Sequence, residues 1–354
     1  MVERVLSVRE INRAVLARQL LLERASLTPE EAVERVAGLQ TQYAPSGYVG
    51  LWSRLAGFRR EVLTDALHAG RVVQAWVMRC TIHMVSPADY WPFTEAVREA
   101  RREWWRRAHR ISGSVDMPAI AAQVREHLAD GPLKQAEIQQ RLAAAGHPRE
   151  VWPGVQLWVD LVRVPPAGTW HTPRAHVYGL AEHTVPIPEP APAPEEGAEL
   201  LVARYLQGFG PAAPGDVASF CGWTVTATRA VLARMSLCRY RTETGGELVD
   251  VPGAPLPPAE TPAPVRFLGQ WDANLLVHAR RAQILPEEHR PRVFGRSMPQ
   301  SVPTFLVDGQ VAGTWRYAAA EVHWEPFHPL SREVEREVEA EAARLAEFHV
   351  DGSG

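Results

Sequence analysis

A pattern of helix, helix and hairpin occurs twice along this chain, at a spacing of roughly eighty residues, which is the mark of repeated small domains. In the first copy, Gly131-Pro132-Leu133 leads into a helix carrying Ile138 and Leu142. A second helix is expected near 151–163, and Val164 to Leu180 reads as a hairpin. In the second copy, Gly210-Pro211-Ala212 precedes a helix with Val217 and Phe220. A helix over 224–235 follows, and Thr244-Gly245-Gly246-Glu247 supplies a hairpin turn. Gly-Gly is a specific turn signal because both central positions accept positive φ. Helix, helix, hairpin is the winged-helix order. Each unit is large enough for a small core of its own, so tandem domains are expected and a solenoid is not.

Two proline-rich stretches punctuate the repeats. Val185 to Pro194 has proline at every second position from Pro186, which favours an extended, semi-rigid linker. Val251 to Pro264 is the second. Beyond it the composition becomes β-rich. Phe305 to Trp315 reads as a hairpin turning at Asp308-Gly309, and a charged helix over 331–348 ends the chain.

Before the repeats the chain reads as mostly helical. Residues 9–24 carry Ile11, Val15, Leu16, Leu20 and Leu22 near helical spacing. Thr28-Pro29-Glu30-Glu31 is a helix start: a hydroxyl cap, proline in the first turn, and acids at the positive end of the dipole. That helix places Val33, Val36 and Gln40 on one face. Pro45 disfavours helix at Ala44, so the helix is expected to end near Gln42. Helices around 49–55 and 61–68 come next. Ala75 to Val85 is β-rich, a strand or wing, and Ser86-Pro87-Ala88-Asp89 opens a helix running into 98–110.

Composition sets the broad class. The chain has 354 residues, 46% of them hydrophobic and 22% charged, which suits an ordered globular protein of two to four domains. Cys80, Cys221 and Cys238 are few, odd in number and far apart, which argues for a reducing cytosol and against a disulfide framework. No signal peptide pattern opens the chain, and no apolar run approaches the ~20 residues of a membrane helix. The net charge of −3 neither favours nor excludes nucleic acid. Arginine greatly outnumbers lysine, Lys134 being the only lysine. That suits phosphate recognition, and it equally suits a GC-rich codon bias.

Several segments together are similar to a known family. They are Gly38-Leu39-Gln40-Thr41-Gln42, Gly50-Leu51-Trp52-Ser53-Arg54-Leu55 and Met78-Arg79-Cys80-Thr81-Ile82-His83. Gly210-Pro211 and the hairpin Val307-Asp308-Gly309 to Gly313-Thr314-Trp315-Arg316 complete the set. In this order, over nearly the whole chain, they resemble the AlkZ-like (AlkZ/YcaQ) tandem winged-helix bacterial DNA glycosylases. The resemblance implies an α+β chain of three winged-helix domains and a C-terminal β-barrel-like domain around duplex DNA. The expected units are 1–117, 118–185, 195–252 and 262–354. It also implies a Gln-x-Gln motif in the AlkZ branch, against Gln-x-Asp in the YcaQ branch, and Gln42 places this chain with the former. Thr41 departs from the aliphatic or small apolar residue usual between the two. Family members often accompany genes for DNA-alkylating natural products and confer self-resistance. The expected partner is double-stranded DNA with alkylated bases, bound by a cytoplasmic monomer needing no protein partner, no membrane, no cofactor and no metal.

The chemistry asked of Gln40 and Gln42 is limited and specific. Breaking a glycosidic bond develops oxocarbenium character on the sugar. An N7-alkylated guanine already carries positive charge and leaves without a proton donor, so the site must mainly position water. A glutamine carbonyl can accept from that water while its NH2 donates to a neighbour. The alternative for Gln40 is a buried amide at a helix end, satisfied by backbone; spacing alone leaves both open. Thr41, His83 and Arg79 are candidates for positioning water or DNA, and His83 in a β segment is equally a structural histidine. A lyase step is not expected, because Lys134 lies in the second repeat, away from the motif.

Arg98, Arg101, Arg102, Arg106, Arg107 and Arg110, with Trp104 and Trp105, form a basic aromatic stretch. Of these, Arg102, Arg106, Arg107 and Trp104 are the DNA-contact candidates. The competing reading is a helix whose tryptophans enter the core and whose arginines pair with Glu99 and Glu103. Arg290, Arg292 and Arg296 read as a loop that could enter a DNA groove. His171, His176 and His183 have no spacing that would aim them at one metal. The rival functional class is a winged-helix regulator that binds DNA without chemistry. A serine hydrolase has no support, because no Gly-x-Ser-x-Gly elbow occurs.

Overall fold

The computed structural model describes residues 4–108, 115–276, 282–295 and 301–350. It is a mixed α+β protein. The strands are β1 (Val5–Leu6), β2 (Leu39–Gln40), β3 (Val73–Trp76), β4 (Ile82–Val85), β5 (Leu133–Lys134), β6 (Leu161–Arg163) and β7 (Val177–Leu180). They continue with β8 (Cys238–Thr242), β9 (Glu247–Asp250), β10 (Arg266–Leu268), β11 (Thr304–Val307), β12 (Gln310–Ala318) and β13 (Glu321–Pro326). The helices are α1 (Val8–Arg18), α2 (Pro29–Arg35), α3 (Ala44–Arg54), α4 (Arg60–His68), α5 (Pro87–Ala108), α6 (Met117–His127) and α7 (Gln135–Ala144). They end with α8 (Val151–Val155), α9 (Pro194–Phe209), α10 (Pro214–Cys221), α11 (Val225–Leu232), α12 (Arg290–Val293) and α13 (Arg332–Val350).

Local chemistry explains where the early elements begin and stop. Thr28 caps α2: its hydroxyl accepts from the Glu31 N–H while the Glu31 carboxylate takes the Thr28 N–H, with Pro29 in the first turn. The helix then stops at Arg35, seven residues short of the expected end. Ala37 (φ 61°) and Gly38 (φ 81°) turn the chain left-handed, and the Gly38 N–H donates to the Val33 carbonyl at 2.7 Å. Pro45 terminates nothing. It sits in the first turn of α3, where its missing N–H has no partner to lose. The expected second helix over 151–163 is likewise only α8, followed by strand β6.

Three sheets hold these elements. The largest has the order β2-β4-β3-β6-β7-β5, so the N-terminal helices and the first repeat share one sheet. The seam is the antiparallel pair β3/β6, with Gln74 opposite Arg163 and Ala75 opposite Val162. A three-stranded sheet, β1-β8-β9, ties the chain start to the second repeat. Arg18 reinforces that tie. Fully buried, it grips Asp250 through two bonds of 2.7 and 2.8 Å. The long helices α5 and α9 lie against each other through Gly197, where a Cβ would stand 2.3 Å from the Pro92 carbonyl oxygen.

The C-terminal strands form an open sheet, β10-β11-β12-β13, and not the barrel-like closure expected. Helix α13 accounts for this. Val338, Leu345 and Phe348 join one apolar cluster with Phe267, Phe305 and Trp315, so a helix covers the sheet face that closure would otherwise bury. The Asp308-Gly309 hairpin turn is as expected, with both residues at positive φ, 47° and 79°. A private core is found for the segment from Trp105 to Leu180. The other repeat and the N-terminal helices share cores with distant segments, Val15 packing in one cluster with Phe220 and Leu306. No helix among the described residues is long and apolar enough to cross a membrane.

Candidate active site

Gln40 is the last residue of β2 and lies directly opposite His83 on β4. Both are buried, at 7% and 1% exposure. Gln40 is therefore a strand residue, not a helix-end amide. The ladder continues past the strand end in an unusual way. Thr41 N–H donates to the Ile82 carbonyl at 2.8 Å, and the Gln42 side-chain carbonyl accepts the Ile82 N–H at 3.1 Å. A side chain thus takes the place of the next backbone acceptor. Gln42 lies in a bend just past the strand end, anchored to the residue next to the His83 that Gln40 faces. Gln42 is solvent-exposed.

Thr41 is fully buried against α3, where a Cβ on Gly47 would lie 3.3 Å from its hydroxyl. That hydroxyl has no hydrogen-bond partner among the described residues. Thr41 packs where the resemblance implies an apolar side chain.

Arg79 organises the buried end of the pair. Its Nη2 donates to Gln40 Oε1 at 3.2 Å and to His83 Nε2 at 3.1 Å. His83 Nδ1 lies 3.0 Å from the Thr81 carbonyl, which can only accept. Nδ1 therefore carries the proton, and Nε2 is the acceptor that Arg79 requires. Burial, with the Arg79 charge adding to it, holds the His83 imidazole well below its usual pKa, so it is neutral. His83 is thus held between Arg79 and the Thr81 carbonyl.

The backbone around Arg79 is unusual. Arg79 and Cys80 both sit at positive φ, 52° and 53°, which costs on the order of 1–2 kcal/mol per non-glycine residue. What holds the turn comes from far along the chain. Arg79 Nη1 reaches the Phe220 carbonyl at 3.4 Å, and its guanidinium lies 5.2 Å from the centre of the Phe220 ring. Helix α10 thus covers a site built on β2 and β4. Neither this cover nor the left-handed turn has a local signal in the sequence.

These contacts reverse the expected polarity of the amides. Arg79 and the Ile82 N–H are obligate donors, so both glutamine carbonyls face the protein. Neither amide NH2 group bonds to a described residue. Each carbonyl keeps one lone pair, and each NH2 offers donors to water, sugar or phosphate oxygen.

The other candidates are dispersed. Arg102 donates to the Leu157 carbonyl at 2.9 Å and pairs with Glu99 at 2.8 Å; Arg107 lies 3.6 Å from Glu103. Arg106 lies over Trp158 at 5.4 Å. Trp105 enters the core while Trp104 is half exposed on the outer face of α5. This helix follows the packing reading more closely than the DNA reading. Arg290 and Arg292 are on α12 and not in a loop, 3.7 Å from Glu287 and 3.3 Å from Glu325 respectively. Arg296 and Arg110 lie outside the described residues. His176 accepts from Arg163 at 3.0 Å. Among the described residues, those that do converge within ligand distance of one another are Glu288, His289 and His328, a group the sequence reading did not weigh. The Asp89 carboxyl is raised to about 6 by burial despite its ion pair with Arg204, and it lies at the α5–α9 junction.

The chain is similar to known proteins over nearly its whole length. The family model described as "DNA glycosylase AlkZ-like" matches residues 33–348. A curated relative from Streptomyces sahachiroi, "Interstrand DNA cross-link repair glycosylase", is 25% identical over 94% of this chain and 93% of its own length. The solved structure of Streptomyces sahachiroi DNA glycosylase AlkZ superposes with a TM-score of 0.80, at 22% identity and 97% coverage of both chains.

Proposed function

Because the chain belongs to the AlkZ-like family of DNA glycosylases, we propose that it hydrolyses the N-glycosidic bond of bulky, cationic N7-alkylguanines in duplex DNA. The observation that carries this is the fixed pair Gln40 and Gln42, whose carbonyls are pinned by Arg79 and by the Ile82 N–H. In the proposed reaction the departing base takes the electron pair of the glycosidic bond and loses its positive charge. Water held by the amides adds to the sugar carbon and releases a proton to solvent. No lysine is required, so the product is an abasic site and the enzyme is monofunctional.

The same reading takes the helix pairs and hairpins as three winged-helix units, 1–117, 118–185 and 195–252, with a β-rich unit over 262–354. It takes the protein as a cytoplasmic monomer that confers self-resistance to a DNA-alkylating natural product. The name of the curated relative extends the candidate substrates to interstrand cross-links.

The test is direct. Duplex DNA with a bulky N7-guanine adduct is incubated with the protein, then heated in alkali to cut abasic sites. Wild type gives strand breaks at the adduct, while Gln40→Ala and Gln42→Ala bind the duplex and give none. Wild-type rates in both variants would sink the assignment. Inactivity of the wild type on several cationic adducts would return the chain to the regulator class.

A further inference from the structure

A cavity of about 510 Å³ opens one residue beyond Gln42. That is within the size range of small-molecule sites and more than one purine fills. Tyr43, at the start of α3, forms one side. Trp170, from the loop between β6 and β7, forms a second. Trp315, Arg316 and Tyr317 on β12 and His349 on α13 line it further, with residues of α3 and the segment after β10 between them.

The walls are set before anything binds. Tyr317 stacks on His349 with ring centres 4.1 Å apart, and Trp170 meets the same imidazole edge-on at 5.2 Å. Trp315 is fixed by its indole N–H, which donates to the Leu268 carbonyl at 2.9 Å. Rings held in this way offer faces and edges to another ring without losing side-chain freedom. Arg316 differs. It is exposed, and its guanidinium makes no hydrogen bond or ion pair with any described residue. Among the described residues no aspartate or glutamate lines the cavity. A guanidinium fork beside aromatic walls suits a planar group bearing a carboxylate or a carbonyl, and disfavours a cation.

We infer that this cavity receives a planar aromatic group with an anionic or carbonyl substituent, carried on the alkyl arm of a lesion whose sugar lies at Gln40 and Gln42. The assignment rests on the glycosylase reading above, and it adds which surface takes the bulk of the adduct and what chemistry that bulk has. Continuity along the chain carries it: Tyr43, which lines the cavity, directly follows Gln42.

The experiment uses duplexes with a 2′-fluoro sugar that resists base loss, so binding is read without cleavage. One lesion is N7-methylguanine, one is N7-(4-carboxybenzyl)guanine, and one carries a 4-(aminomethyl)benzyl arm. Wild type is expected to bind the carboxybenzyl lesion about tenfold more tightly than the methyl lesion, the order expected of an aromatic contact plus an ionic hydrogen bond. The aminomethyl arm gains nothing. Tyr43→Ala and Arg316→Glu, both at exposed positions, bring the preference close to one. Lack of preference in the wild type overturns the assignment. So does an equal loss on methyl and carboxybenzyl lesions in the variants, which would mean that the cavity holds the base itself. Cleavable versions of the same duplexes keep the two ideas apart: a preference in binding with no base release overturns the glycosylase reading and leaves the cavity's ligand class standing.

Discussion

Arg79→Met separates positioning from DNA contact. The substitution keeps the length and apolar body of the side chain and removes the guanidinium. Gln40 Oε1 loses a donor at 3.2 Å and His83 Nε2 loses one at 3.1 Å. A hydrogen bond to a charged group contributes about 1.5–3 kcal/mol. If the bond to Gln40 serves to fix the amide, its loss lowers the single-turnover rate by roughly ten- to a hundredfold. The assay is N7-methylguanine release at saturating enzyme, where affinity drops out, with a parallel titration of binding against salt. A phosphate-binding arginine behaves in the opposite way: the rate at saturation holds, affinity falls, and the salt slope drops by about one. A folded Arg79→Met variant that releases base within about twofold of wild type refutes the positioning role.

Two further predictions concern stability. Thr41→Val replaces a buried hydroxyl that has no partner among the described residues with a methyl group of similar shape. It should raise stability by about 1 kcal/mol in urea unfolding and leave base release unchanged; a loss of stability would mean the hydroxyl has a partner, such as a bound water. The acid limb of stability carries opposed terms. His83 is neutral when folded, so the unfolded chain takes up its proton as pH falls through about 6.5, and stability falls with it. Asp89 titrates near 6 folded and near 3.8 unfolded, so the fold holds an extra proton between those values and gains stability as pH falls, about 3 kcal/mol in all. Asp89→Asn removes only the second term. Its urea midpoint should fall more steeply than wild type between pH 6 and about 4, and parallel curves would show that burial does not raise the Asp89 pKa.

What could be read from the sequence was whatever is decided within a few residues. The Thr28–Glu31 cap and the Asp308-Gly309 turn depend on local donors, acceptors and φ, and both are found. The i,i+3 and i,i+4 pairing of Arg102 with Glu99 and of Arg107 with Glu103 was open to the same reading, as the alternative to DNA contact. Gln40 shows where this fails. Val33, Val36 and Gln40 keep helical spacing, so periodicity carried the helix too far. The left-handed pair Ala37-Gly38 ends it, and only the glycine advertised that. The turn at Arg79 had no local signal, because its strain is held by Phe220, 141 positions away. The shared β3/β6 seam and the open C-terminal sheet were hidden for a related reason. Each depends on which distant apolar faces meet, as α13 and the C-terminal sheet do.

The reversed amides narrow the proposed chemistry further than the motif alone. Arg79 and the Ile82 N–H each occupy one lone pair of a glutamine carbonyl. The remaining lone pair can accept one hydrogen from water, which orients the oxygen but removes no proton. An amide has almost no basicity near neutral pH, so it supplies position without general-base catalysis. The barrier must then be set mainly by the leaving group. N7-alkylguanine departs neutral, whereas uracil departs as an anion that nothing in Gln40, Gln42 or neutral His83 can protonate. Rates should therefore rank with the acidity of the departing base, and uracil should stay near the uncatalysed rate. Measurable uracil release by the wild type would require a proton donor that this arrangement of Gln40, Gln42 and His83 does not contain.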